Sequence, residues 1–148
     1  EKAALDSMTR LNKDARDAAR DLDIHAATDV TGFSLSGHSL EVAENSGVTV
    51  EIDTAKVPIL TEAEELARFG FIPEGMYNNL DWVNGKIYYS PSIPLEKRDL
   101  MLDPQTSGGL LFFLPMEDAE TLVKRMDKDY VRIIGRVKKK GEYSVEFI

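Results

Sequence analysis

Ala4, Met8, Leu11, Ala15, Ala18 and Leu22 recur at alternating spacings of four and three. That interval lines one side of an α-helix, so the pattern predicts a single core-facing helix over roughly residues 2–20. Arg10, Lys13, Asp14, Arg16 and Asp17 would form its wet face. The passage from Ile24 to Val30 runs from apolar to polar and ends at Asp29. A second helix is expected from about Thr31 to Glu44 with Phe33, Leu40 and Ala43 inward, stopped by Asn45, Ser46 and Gly47. Val48, Val50 and Ile52 then alternate with polar residues, the period of a strand with one buried face.

Thr61 followed by Glu64 reads as a capping box, which predicts a short helix over about 62–68 that ends at Gly70. Residues 71–86 carry Pro73, Gly75, Asn78, Asn79, Asn84 and Gly85 and read as irregular loop. Ile87 to Tyr89 reads as a short strand, and Pro94 to Leu102 as one or two helical turns. The run Asp103-Pro104-Gln105-Thr106-Ser107-Gly108-Gly109 opens directly into Leu110, Leu111, Phe112, Phe113 and Leu114, so a turn feeds a strand over 109–114. Pro115 starts another helix, with Glu117 and Asp118 in its first turn and Lys124 and Arg125 in its last, matching the helix dipole at both ends. Its expected buried face is Ala119, Leu122, Val123 and Met126. Two strands around 131–138 and 143–148, joined at Lys140-Gly141-Glu142, finish the chain. The expectation is an α+β fold, a mixed or antiparallel sheet flanked by helices, in a single domain over 1–148.

Composition narrows the function. At 148 residues, 43% hydrophobic and 30% charged, the chain has the make-up of an ordinary soluble globular domain. A net charge of −8 argues against a phosphate-tracking surface and hence against a nucleic-acid partner. The absence of cysteine removes disulfides, thiolate metal sites and a cysteine nucleophile. No apolar run approaches the roughly 20 residues that span a bilayer, so no membrane partner is expected. The chain opens Glu1-Lys2-Ala3-Ala4 with neither a signal peptide nor an initiator Met. That opening reads as an excised domain or a trimmed chain, and the default compartment is the cytoplasm.

Asp29, ahead of the second helix, is the first candidate for chemistry. It reads locally as an N-cap or turn carboxylate. The functional reading is a Mg²⁺ ligand beside a nucleotide phosphate, since Mg²⁺ takes oxygen donors and commonly one or two carboxylates. Spacing does not separate the two. Thr106, Ser107, Gly108 and Gly109 are candidates for ligand binding, as backbone N–H groups and hydroxyls facing an anion, or else a turn that only sets up the next strand. His25 and His38 are the only histidines, too few and too far apart for a zinc site, and read as hydrogen-bonded or surface residues. Ser36 and Ser39 flank Gly37-His38 without a nucleophile elbow or an oriented triad. Neither a Walker-type phosphate loop nor a dinucleotide-binding glycine pattern is present. Lys138, Lys139 and Lys140 read as a solvated run at a hairpin tip. Trp82, Tyr88 and Tyr89 read as packing residues rather than a base-stacking platform.

Two segments carry a resemblance. His25-Ala-Ala-Thr-Asp-Val-Thr-Gly-Phe-Ser-Leu-Ser-Gly-His38 resembles the motif that opens the C-terminal domain core of the selenide, water dikinase (selenophosphate synthetase) family, and Asp103-Pro-Gln-Thr-Ser-Gly-Gly-Leu-Leu111 resembles its second C-terminal signature. The first is shared in looser form with aminoimidazole ribonucleotide synthetase and a hydrogenase-maturation enzyme; the second is more specific. Ser34 stands where the family usually has glycine. The resemblance implies a fold like the C-terminal domain of aminoimidazole ribonucleotide synthetase. It also implies conversion of ATP, selenide and water into selenophosphate, AMP and phosphate with Mg²⁺, and a metal-ligand role for Asp29. The family's remaining metal carboxylates, its lysine and its reactive cysteine or selenocysteine lie in an N-terminal nucleotide-binding half. On that reading no catalytic residue lies in 1–148, the partners are the enzyme's own N-terminal domain and a second copy in a homodimer, and the piece alone is inactive. Half of a related ATP-dependent synthetase or kinase of the same superfamily, and a non-catalytic binding module, remain as alternatives.

Overall fold

The computed structural model describes residues 2–148. Its elements run α1 (Lys2–Met8), α2 (Lys13–Ala18), β1 (Ala26–Asp29), α3 (Ser34–Ser46), β2 (Val48–Ile52), α4 (Ala63–Arg68), α5 (Glu74–Val83), β3 (Ile87–Tyr89), α6 (Leu95–Leu102), β4 (Leu110–Phe113), α7 (Met116–Met126), β5 (Gly135–Lys139) and β6 (Val145–Phe147). Four strands form a mixed sheet in the order β3-β6-β2-β5, and β1 pairs with β4 as a separate antiparallel ribbon. The α+β class with a mixed sheet holds.

Strand alternation explains the main sheet. Val50, Ile52, Val145 and Phe147 face a core built with Leu40 and Ala43 of α3, Met76 and Val83 of α5, and Met101 and Leu102 of α6. Glu51 and Glu146, one position out of phase, lie on the opposite face. There Lys138 reaches Glu51 at 2.9 Å and Glu146 at 2.7 Å, while Arg136 reaches Glu51 at 2.7 Å. These two cations hold the Glu51 carboxyl below its usual range. Lys138 is therefore a sheet-face cation and not part of a solvated hairpin tip. The last two strands do not pair with each other: β5 runs antiparallel and β6 parallel to β2, one on each side of it. The turn at 140–142 is thus a connection that steps over the central strand.

Three helical expectations change. The helix over 2–20 is two short helices, with Leu5, Met8 and Leu11 exposed. At the break the Thr9 amide and hydroxyl both donate to the Leu5 carbonyl, at 3.0 and 2.9 Å, and such backward bonding by a hydroxyl weakens and bends a helical turn. The apolar stripe is only partly covered: Ala4, Ala15, Ala18 and Leu22 are half-buried, Met8 and Leu11 are exposed, and Ala19 beside it is buried at the level of the core. The capping box is absent. The N-cap of α4 falls on Glu62, at φ 73°, and carries no side-chain cap bond. The segment 71–86 contains α5 rather than loop, because Met76, Asn79 and Val83 share one face and are all buried. Elsewhere the sequence reading holds more closely: α3 ends at Gly47 in the left-handed conformation, at φ 64°. Phe33 stays half-exposed outside α3, and of the expected face of α7 only Leu122 is fully buried.

Ser34 is also left-handed, at φ 67°, and completely buried. A β-carbon in that conformation costs roughly 1–2 kcal/mol, against which glycine loses part in chain entropy. The Ser34 hydroxyl returns little, accepting only a long 3.4 Å bond from the Gly37 amide. Ser34→Gly is expected to stabilise the chain by on the order of 0.5–1 kcal/mol, raising Tm by about 2–4 °C. A thermal melt checks it, and a fall in Tm would show the hydroxyl to be worth more than the strain.

The accessible surface is 9173 Å² for a 16.5 kDa chain. A compact monomer of that mass exposes roughly 7,500 Å². Part of the excess is apolar: Leu11, Phe69, Phe71 and Leu95 are each more than 60% exposed.

Candidate functional site

The two glycine-containing segments picked out in the sequence fold against each other. In the β1–β4 ribbon Asp29 lies opposite Leu110. Beyond it the Val30 amide donates to the Gly109 carbonyl, the Gly108 amide to Val30 and the Gln105 amide to Thr31, each at 3.0 Å. The Asp103–Gly109 loop is therefore the continuation of an antiparallel ladder against residues 30–31.

Gly108 is required by that approach. A β-carbon there would lie 2.4 Å from the Val30 carbonyl oxygen and 3.0 Å from its Cβ, whereas one at Gly109 would meet nothing within 4 Å. Neither glycine is left-handed; the positive-φ glycines are Gly47, Gly70 and Gly85. With the Gln105 and Gly108 amides bonded to protein carbonyls, the loop does not offer an unbroken run of free N–H groups to an anion. Thr106 is exposed and Ser107 half-buried.

Asp29 ends β1 with its side chain exposed. Helix α3 begins at Ser34 with Phe33 at its N-cap position, so Asp29 is not a cap. Among the described residues no donor or cation pairs with its carboxylate. Nor do the described residues include a group of three or more His, Asp or Glu placed to hold a metal. Among the described residues Asp29 thus stands as a single exposed carboxylate that belongs to no such group.

Its neighbours are held firmly. His38, on α3, makes a 3.1 Å contact with the Thr31 hydroxyl through Nε2 and a 3.1 Å contact with Glu41 through Nδ1. His25 lies apart, at 3.2 Å from Asp23 on the surface. Asn79, which the loop reading of 71–86 passed over, donates from Nδ2 to the carbonyls of Gly32 and Leu102, both at 2.9 Å. The spacing of Met76, Asn79 and Val83 was the signal that could have found it. Phe33 packs on Trp82 at 5.2 Å, and Tyr89 stacks on Phe147 at 5.0 Å, so these aromatics do pack. Burial pushes the Tyr89 hydroxyl up to about 12.

On its other side the loop meets α1 across a shallow pocket of about 160 Å³, with Ala4, Ser7 and Met8 facing Asp103, Gln105 and Ser107. Burial raises the Asp103 carboxyl above its usual range, and the Gln105 amide, 2.8 Å from Oδ2, opposes that rise.

Comparison with known proteins matches residues 2–148 to the family described as AIR synthase related protein, C-terminal domain. Among individual relatives, a selenide, water dikinase from Clostridium botulinum is 47% identical over 137 residues, covering 91% of this chain and 40% of its own. Its counterpart from Caldanaerobacter subterraneus subsp. tengcongensis is 43% identical over 145 residues, covering 96% and 42%. Selenide, water dikinase 2 of Peptoclostridium acidaminophilum is 41% identical over 141 residues, covering 93% and 40%. The chain spans about 40% of the length of the curated relatives it matches.

Proposed function

The chain belongs to the AIR synthase related proteins, as a C-terminal domain of that family, and from that premise we propose that it is the C-terminal half of a selenide, water dikinase. The complete enzyme would make selenophosphate from ATP, selenide and water, releasing AMP and phosphate. One observation carries the reading: the two segments that resemble that enzyme family form one hydrogen-bonded unit, with the unpaired Asp29 carboxylate at its exposed edge.

The donor set fits a shared Mg²⁺ site. Asp29 is a hard anionic oxygen without a protein partner, and would hold the ion together with carboxylates of the N-terminal half. Bound there, Mg²⁺ neutralises and orients the phosphate oxygens whose charge otherwise opposes phosphoryl transfer. This chain's own contribution is to hold that carboxylate still. The Val30, Thr31 and Gly32 carbonyls are each tied to another element, so the segment after Asp29 has little freedom. Thr106, Ser107, Gly108 and Gly109 lie on the same unit and would face the nucleotide across the domain junction. The apolar residues left exposed are consistent with docking on an N-terminal nucleotide-binding half. We place the enzyme in the cytoplasm as a homodimer. No helix is long and apolar enough to cross a membrane among the described residues.

The test is AMP formation by the full-length protein with ATP and Mg²⁺, with and without selenide. Selenide-dependent AMP is expected from the full-length protein and none from residues 1–148 alone. AMP or ADP formed without selenide would assign a different substrate within the family. Turnover by residues 1–148 would overturn the assignment as an incomplete half.

A further inference from the structure

We propose that Asn79 is a positioning residue, a clamp that ties the segment after Asp29 to the base of the Asp103–Gly109 loop. The inference rests on the functional reading above for its effect on turnover, and on the geometry alone for the clamp. Asn79 sits on α5, an element of neither motif, and is only 5% exposed. Both protons of its amide are used. One goes to the Gly32 carbonyl, between β1 and α3, and the other to the Leu102 carbonyl at the end of α6, each at 2.9 Å. Leu102 is followed directly by Asp103, and a last-turn helix carbonyl has no partner within its own helix. Gly32 is separated from Asp29 only by Val30 and Thr31. A single buried side chain thereby spans the two segments that the rest of the site depends on.

The geometry leaves little slack. Asn79 is packed on the same face of α5 as Met76 and Val83, which are 2% exposed, so its amide cannot swing away without opening the core. The opposite side of the segment is held by His38 on Thr31, and the loop by the Gln105 and Gly108 amides. Removing Asn79 as a donor leaves the Gly32 carbonyl without its tie to α5, so Asp29 keeps its charge and its strand pairing while the turn that follows it loses one of its anchors. A misplacement of about 1 Å in a reacting geometry costs on the order of a hundredfold in rate.

Three variants of the full-length protein separate positioning from plain stability. Asn79→Asp keeps the shape and cannot donate when ionised; Asn79→Ser keeps one donor and no charge; Val83→Ala loosens the same helix without touching either carbonyl. Below their melting temperatures, Asn79→Asp is expected to lower kcat at least tenfold and raise the Mg²⁺ needed for half-activation severalfold. Asn79→Ser should move both in the same direction by less, and Val83→Ala should leave both within twofold. Loss of kcat in Val83→Ala equal to that in the Asn79 variants, or Asn79 variants within twofold of the parent, would overturn the proposal. Amide exchange in residues 1–148 provides a readout independent of turnover. The Gln105 and Gly108 amides should exchange at least tenfold faster in the Asn79 variants and not in Val83→Ala. Should the parent protein show no selenide-dependent AMP, the functional reading fails and this exchange measurement alone decides the clamp, unchanged protection overturning it.

Discussion

Replacing Asp29 by Asn in the full-length protein is expected to leave the fold intact and remove most of its selenide-dependent AMP formation. The structure sharpens this expectation. As helix N-caps Asp and Asn rank together, so a capping role would survive the exchange. Asp29 caps nothing: α3 begins at Ser34, and no donor among the described residues bonds its carboxylate. The substitution therefore changes one thing, the negative charge that a hard cation prefers over a neutral amide oxygen. A metal-held charge interaction is worth several kcal/mol, and each 1.36 kcal/mol is tenfold in rate, so a loss on the order of a hundredfold is expected. Tm should move by no more than about 1–2 °C, since an exposed polar exchange is usually worth about 0.5 kcal/mol or less. Turnover near that of the parent with unchanged Mg²⁺ dependence would remove Asp29 from the metal site.

Gly108→Ala is expected to destabilise residues 1–148 strongly, while its neighbour Gly109→Ala does not. The new methyl at 108 would sit 2.4 Å from a backbone carbonyl oxygen that cannot rotate aside, because Val30 is held by the same ladder. Relief requires the Val30–Gly108 and Val30–Gly109 bonds to open. The cost is about 2–3 kcal/mol, or on the order of 10 °C in Tm. At Gly109 the methyl meets nothing within 4 Å, and the residue is not left-handed, so the change should be neutral within about 0.5 kcal/mol. Thermal melts of the two variants side by side decide it. Equal effects would mean that the glycine pair acts through chain flexibility and not through the approach to Val30.

Both motif segments were visible in the chain, as was the class of the fold, yet their relation was not. In the sequence Asp29 stands out as a carboxylate ahead of a helix, and the 103–109 run as a turn into an apolar strand. Their backbones meet through Val30, Thr31, Gln105, Gly108 and Gly109, and a carbonyl-to-amide bond leaves no mark in side-chain identity. Asn79 was hidden for the opposite reason. Its side chain is what matters, but Pro73, Gly75, Asn78 and Asn84 around it weigh toward loop, and the buried period of Met76, Asn79 and Val83 is only apparent once Asn is allowed inside.

The chain by itself determined what is local. Alternation in Val48–Ile52, the left-handed stop at Gly47, and Pro115 with acidic then basic ends on α7 each depend on interactions within a few residues, so period and punctuation specify them. Tertiary structure decided what depends on distant partners. The 2–20 stripe had a helical period, but exposure of Met8 and Leu11 follows from what packs there, not from spacing. The last two strands were legible as strands, yet β2 lies between them, pairing antiparallel with β5 and parallel with β6, an arrangement that rests on contacts with residues far back in the chain. Gly108 is the sharpest case. Its need for no side chain is set by a carbonyl nearly eighty residues earlier in the chain, and steric exclusion at that range exists only after the chain has folded.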